Sequence, residues 1–414
     1  MKQKAAHAVM CVLVMVATAL TLVHSAQAGN KYRVLHHFLN KPASAPSSAL
    51  VADAAGNLYG VTRDTNQSKA DNCGQYACGG AVFKLTRGSG GTWSYSVIHV
   101  FQGPDGSLPQ GSLIFDSSGN LYGTTADGGA HNYGAVFELS PSGGKWTETV
   151  LYSFAGYPAD LDTPTSALTF DASGNLYGTA TNAATNAQGG VFELKPSSNG
   201  WQETVLHSFT GGSDGSNPYT SSVVLDPTGN VYGTTLYGGE YGFGVVFELT
   251  NYGGSWTETV IHAFEDGVDG ADPASGVIFD TAGNLYGTTP AGGVFGEGTV
   301  FDLAPSMGNW TLGVVHSFNH SQYRDDGYSP FAPLVFDSAG NLYGATEKGG
   351  YYDNGIVFKL SQSGGMWYRT TLHSFHELDG LDPFAGLIVD QQGVLYSTAG
   401  GGAEGYGVVF SITP

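Results

Sequence analysis

Five copies of Asp-Gly-x-x-Pro set carboxylates at regular intervals along the chain, at Asp105, Asp214, Asp269, Asp326 and Asp379. Paired carboxylates can serve as general acid and base in glycoside hydrolysis. With Asp272 and Asp382 beside them, Asp269 and Asp379 could also offer oxygen ligands to calcium. Turn formation explains Asp-Gly and Pro without any chemistry, so both readings stay open. A second periodic set is histidine: His36, His99, His207, His262, His316 and His373, with Tyr152 in the remaining copy. Among segments rich in glycine, Tyr133, Tyr241, Phe295, Tyr352 and Tyr406 supply flat apolar faces, four of them with a hydroxyl, a combination suited to sugar rings. The chain holds no HExxH zinc motif, phosphate-binding loop or nucleophile elbow.

What must position these residues is a repeat. Gly-Asn-Leu-Tyr-Gly or a near relative occurs seven times, beginning at Gly56, Gly119, Gly174, Gly229, Gly283, Gly340 and Gly393. Within residues 221–264 the pattern reads as four short strands, here called a to d. They are separated by an Asp-x-x-Gly-Asn turn, a glycine-rich loop and a Gly-Gly turn, with no helical periodicity. The apolar runs of strands a, b and c imply cover on both faces. Seven four-stranded sheets with two buried faces describe an all-β, seven-bladed β-propeller of antiparallel blades. Phase supports a ring. The chain enters on a d-like strand, residues 31–38, and leaves on a c-like strand, residues 407–412, so the N-terminal strand is expected to complete the last blade.

Strand a should be innermost, which puts the b–c loops and the d-to-a crossings on one face and the a–b and c–d turns on the other. The crossings are then expected to carry Asp105, Asp214, Asp269, Asp326 and Asp379 to the mouth of the central channel. Strand d should lie ~14 Å further from the axis than strand a, too far out for its histidines to share zinc. They and the six tryptophans that begin strand d are read as packing between blades. The turn residues Asp53, Asp116, Asp171, Asp226, Asp280, Asp337 and Asp390 are read as capping their own turns.

Composition narrows the partners. The net charge is −20, and no Lys or Arg occurs between Lys195 and Arg324. Nucleic acid and anionic membranes are disfavoured for want of cations. A basic start, an apolar run from Val9 to Val23 and Ala26-Gln27-Ala28 fit a signal peptide over 1–28, leaving 29–414 as the propeller. The mature protein is expected to be a monomer, secreted, periplasmic or on the cell surface, without membrane insertion. Cys73 and Cys78 are expected to form a disulfide after export.

The phrases Gly-Asn-Leu-Tyr-Gly-Thr-Thr, Gly-Gly and Gly-Val-Val-Phe-Glu-Leu resemble the GloVer tandem repeats of exported bacterial "choice-of-anchor" proteins. A fainter similarity joins Ile-Phe-Asp-Ser-Ser-Gly-Asn-Leu-Tyr to the NHL-type propeller repeat. The resemblance implies a secreted or surface-attached propeller and brings no catalytic residues; this chain carries no evident anchor segment. Three functions are therefore in play. One is a binding or scaffold module for glycan or protein, acting through the loop-rich face. Another is a carbohydrate- or lactone-active hydrolase built on the Asp-Gly-x-x-Pro carboxylates. The third is a purely structural envelope protein. No cofactor is expected beyond calcium.

Overall fold

The structure is a computed structural model that describes residues 30–39, 43–64, 79–156, 158, 160–182 and 188–414. The signal segment and both Cys73 and Cys78 lie outside the described residues. Apart from a single 3-10 turn at Ser89–Gly91, every named element is a β-strand. The strands form seven antiparallel four-stranded sheets in a ring, a β-propeller.

Blade 4 shows the pattern: strand a is Val224–Leu225, strand b Val231–Thr235, strand c Val245–Tyr252 and strand d Ser255–Ala263. Strand b is buried throughout, whereas strand d alternates between exposed and half-buried residues because it is the outer edge. Blade 7 takes its first three strands from Ile388–Val389, Leu395–Ala399 and Val408–Thr413. Its outer strand is Lys31–His37, antiparallel to Val408–Thr413 with Lys31 opposite Thr413 and His37 opposite Val408.

The apolar core lies between the blades. One cluster joins Phe209 of blade 3 to Val231, Phe247 and Leu249 of blade 4. Another joins Tyr396 and Val409 of blade 7 to Leu58, Phe83 and Leu85 of blade 1, across the junction of first and last blades. Each fully buried Phe contributes roughly 1.5–3 kcal/mol from the area it removes from water. The tryptophans pack at these same seams: Trp146 of blade 2 meets Tyr59 of blade 1 edge-on at 5.9 Å, and Trp310 meets Tyr232 likewise.

A latch of backbone and proline repeats seven times on the loop-rich face. The proline ending each crossing seats on a glycine of the preceding blade: Pro273 on Gly244, Pro330 on Gly298 and, between blades 1 and 7, Pro46 on Gly407. These glycines have positive φ and no room for a Cβ. The residue before each proline is left-handed although it is not glycine: Ala45, Leu108, Thr163, Asn217, Asp272, Ser329 and Asp382, with φ from 47° to 59°. Its N–H donates across the seam, as Asp272 does to the Phe243 carbonyl at 2.9 Å and Ala45 to that of Tyr406 at 3.0 Å. Seven equivalent strained residues are held because seven such bonds and proline contacts over-determine them.

Candidate functional site

Strand d carries a bulge at the same place in every blade; in blade 4 the register shifts so that Val246 faces His262 and Phe247 faces Val260. A bulge re-aims the side chain that follows it, and here it turns the histidine toward the start of the crossing. His99 Nε2 lies 3.1 Å from Asp105, His262 Nε2 3.0 Å from Asp269 and His373 Nε2 3.1 Å from Asp379. His207 and His316 approach Asp214 and Asp326 to 3.4 Å, and Tyr152 donates its hydroxyl to Asp160 at 2.8 Å. The same carboxylates accept backbone N–H groups, for example that of Gln102 onto Asp105 at 2.7 Å.

This differs from the placement the sequence implied. Asp105, Asp214, Asp269, Asp326 and Asp379 are tied to the outermost strand of their own blades, rather than drawn to the channel mouth. The reason is chain length: the aspartate follows its histidine by only six to ten positions and still sits over strand d, while only the proline at the far end of the crossing reaches the axis. The calcium candidates separate likewise. Asp269 and Asp379 face histidines, Asp382 pairs with Lys348 Nζ at 2.7 Å, and Asp272 is part of a latch. Among the described residues no group of three or more His, Cys, Asp or Glu converges as a metal site would need.

The histidines also meet the neighbouring blade. His373 stacks on Tyr32 at 3.8 Å and His36 on Tyr95 at 4.1 Å. At the position of these tyrosines the next strands d carry Glu148, Glu203, Glu258, Leu312 and Arg369. Burial pushes Glu148 and Glu258 up to about 7 and Glu203 to about 8, and one oxygen of each is buried without a partner. Arg369 Nε instead pairs with Asp326 at 3.1 Å.

The aromatics named from sequence are all exposed, yet they do different things. Tyr133 and Tyr406 immediately precede latch glycines, and their carbonyls accept the bonds from Thr163 and Ala45. Tyr241, Phe295 and Tyr352 belong to the tips of b–c loops on separate blades. On the opposite face, each turn aspartate is taken up by its own turn: Asp53 accepts from the backbone of Ala55 and Asn57, from Asn57 Nδ2 and from the Tyr59 hydroxyl.

The axial channel is the site that sequence reading missed. Segments from all seven blades line a cavity of about 410 Å³. Blades 1 to 3 contribute Ser47, Gln110 and Thr165 directly after their crossing prolines; blades 6 and 7 contribute Phe331 and Phe384 at the same position. Blade 4 has one extra residue there, Tyr219. Phe384 is 50% and Tyr219 39% exposed, and Phe331 meets Phe384 edge-on at 6.3 Å. One arc of the channel is therefore aromatic and the other polar. The signal was a residue type that varies at one fixed position of an otherwise constant repeat.

Near the polar arc lie a carboxyl pair and a cation. Asp162 accepts from Asn182 Nδ2 at 2.8 Å and from the Thr163 hydroxyl at 2.5 Å. Burial raises the Asp127 carboxyl above the ordinary range; Asp162 adds to that shift, and Arg63, a channel-lining residue, opposes it. Two carboxyls close enough to interact, one of them raised by burial, are groups that acid–base chemistry can use.

Among solved structures, a candidate 6-phosphogluconolactonase from Bacteroides uniformis superposes with a TM-score of 0.51 at 14% identity, over 85% of this chain and 90% of that one. A protein of unknown function from Dyadobacter fermentans gives 0.43 at 14% identity, over 83% and 98%. A candidate oxidoreductase (glucose dehydrogenase) from Thermus thermophilus gives 0.41 at 15%, over 93% and 100%. The first likeness shows the fold alone, and the two weaker superpositions carry no argument. No curated protein matches the chain. The profile of the Gloeobacter/Verrucomicrobia repeat matches residues 20–175 and 219–414, and with most of its length so matched the chain belongs to that repeat family.

Proposed function

We propose that this protein is an exported binding propeller whose ligand, a small neutral sugar or sugar-like ring, sits in the axial channel. The observation that carries this reading is the break in sevenfold equivalence. Tyr219, Phe331 and Phe384 face a cavity whose other wall holds Ser47, Gln110 and Thr165. A sugar has an apolar face of C–H groups and a rim of hydroxyls, and that division matches the two arcs. Exposed aromatics at such a mouth also contribute nothing to the inter-blade core, where ring packing is complete without them. Export rests on the N-terminal motif, and a Cys73–Cys78 disulfide belongs with it.

The test is calorimetric titration with glucose, N-acetylglucosamine and cellobiose, comparing the parent with Phe331→Ala, Phe384→Ala. Blade 5 already has Ala274 at this position, so the double variant suits the fold. Binding by the parent and a loss of tenfold or more in the variant, about 1.4 kcal/mol, is expected. Unchanged binding in the variant would place the ligand elsewhere.

A second reading is favoured by the Asp127–Asp162 pair. In a hydrolase, Asp127 would donate the proton and Asp162 act as the base. Release of nitrophenol from aryl glycosides, abolished by Asp127→Asn with the fold intact, supports it; no turnover above background by the parent removes it.

A further inference from the structure

We infer that the loop-rich face carries a second site outside the channel, a rim of exposed apolar tips on blades 4 to 6 that docks a basic polypeptide with apolar side chains among its Lys and Arg. The observation is a second break in sevenfold equivalence, at the two tip positions that follow Gly-Gly in the b–c loop. Blades 4, 5 and 6 carry Glu240-Tyr241, Val294-Phe295 and Tyr351-Tyr352 there, whereas blades 2 and 7 carry Ala130-His131 and Ala403-Glu404. The crossings that leave these three blades add Val268, Tyr323 and Leu378. Val268 is 67%, Tyr351 67% and Leu378 65% exposed, so nothing among the described residues covers them. Apolar side chains gathered in this way on a surface mark an interaction site.

Contacts between each tip and its crossings make the rim continuous. The Glu240 and Glu265 carboxylates raise the Tyr241 hydroxyl above its ordinary range, which puts the blade 4 tip beside the crossing to blade 5. In that crossing the Gly267 carbonyl accepts the Gly293 N–H at 2.8 Å, so Val268 and Val294 follow directly on bonded residues. Glu297, two positions after Phe295, accepts from the backbone of His320 and Ser321 in the crossing to blade 6. Asp326, at the end of that crossing, accepts the Gly350 N–H at 3.0 Å. The Tyr352 ring then meets His376 edge-on at 5.8 Å, two residues before Leu378.

Charge selects the occupant. Glu240, Glu265, Asp266, Asp353 and Glu377 are exposed along the same rim, and none has an ion-pair partner among the described residues. Lys348 is taken by Asp382 at 2.7 Å. Arg324 is the one exposed Lys or Arg among the described residues of the rim, and Asp325 follows it in the chain. A second copy would set these carboxylates against their equals. A neutral glycan would dehydrate them and return no charge. Lysine and arginine answer both features, because their stems lie on apolar surface while their heads meet aromatic faces and carboxylates.

Calorimetry with a peptide of alternating lysine and leucine tests the inference. Alternating lysine and serine, alternating glutamate and leucine, and cellohexaose are the controls. One variant removes the tips, Tyr241→Ser, Phe295→Ser, Tyr352→Ser, and a second removes charge, Glu240→Ala, Glu265→Gln, Glu377→Gln. The fold already uses Ala130 and Ala403 at the place of Glu240, and Gln102 at that of Glu265; melting temperature checks that both variants fold. The parent should bind the lysine–leucine peptide, with affinity falling as salt rises, and each variant should lose about tenfold or more. Phe331→Ala, Phe384→Ala in the channel should leave this binding unchanged, which separates the two sites. Equal affinity for the lysine–serine peptide, a preference for the glutamate peptide or for cellohexaose, or unchanged affinity in either rim variant would each overturn the assignment.

Discussion

If the latch holds the ring together, adding one methyl group at the seam between first and last blades should cost far more than the same group two residues away. Gly407 has φ 106°, and a Cβ built there falls 2.3 Å from Pro46 Cδ and 2.8 Å from Cγ. Ordinary carbon contacts lie at about 3.5–4.0 Å. The obstacle is a proline ring whose own position is fixed by the left-handed Ala45 before it, so it has no rotamer to yield. Gly405, in the same loop, has φ 78°, and a methyl group placed on it would meet nothing within 4 Å. Substitution by alanine costs roughly 1–2 kcal/mol at either site for a left-handed Cβ. Only Gly407→Ala adds an overlap, roughly 1–3 kcal/mol for an overpacked site. Expected losses are thus roughly 1–2 kcal/mol for Gly405→Ala and 2–5 kcal/mol for Gly407→Ala, read from urea unfolding. Pro46→Ala should rescue part of the second loss and none of the first, since it removes the ring that the methyl strikes. Equal losses at the two glycines, or no rescue, would refute the latch as a determinant of stability.

Tyr32→Ala removes a stack on His373 and a hydroxyl bond to the Asp379 carbonyl; unfolding midpoints should show a loss of roughly 2–4 kcal/mol, and a loss near zero would mean that the N-terminal strand adds little to blade 7. Glu203 has a folded pKa of about 8, above its ordinary value, because it is buried and faces Asp160. The folded state therefore holds more protons, and stability should fall as pH rises from about 4.5 to about 8. Glu203→Gln should flatten that part of the profile; the same slope in parent and variant would assign it to other groups. Asp226→Ala deletes the acceptor of the Thr228 and Asn230 amides and of Asn230 Nδ2, for an expected loss of roughly 1–3 kcal/mol with ligand binding on the loop-rich face untouched.

Period and phase in the sequence were enough for the fold, because each copy of Gly-Asn-Leu-Tyr-Gly encodes the same local hairpin and no single copy can bury both its faces alone. The role of Asp53 and its six counterparts was legible for the same reason: a turn that closes within five residues is decided by its own residues. Trp146 and Trp310 were read correctly as seam residues from their place at the start of strand d. The carboxylates of Asp105, Asp214, Asp269, Asp326 and Asp379 were not legible in the same way. Their motif runs toward the axis, but the histidine that claims each one depends on a bulge that spacing does not reveal. Phe331, Phe384 and Tyr219 were overlooked because they lie far apart in the chain and share only their place near a crossing proline. What brings them to one cavity is a left-handed residue before that proline, locked by a bond from the preceding blade. Local turns and strand count follow from short-range sequence, whereas the lining of the channel is a property of the closed ring: it arises where seven separate segments converge on one axis.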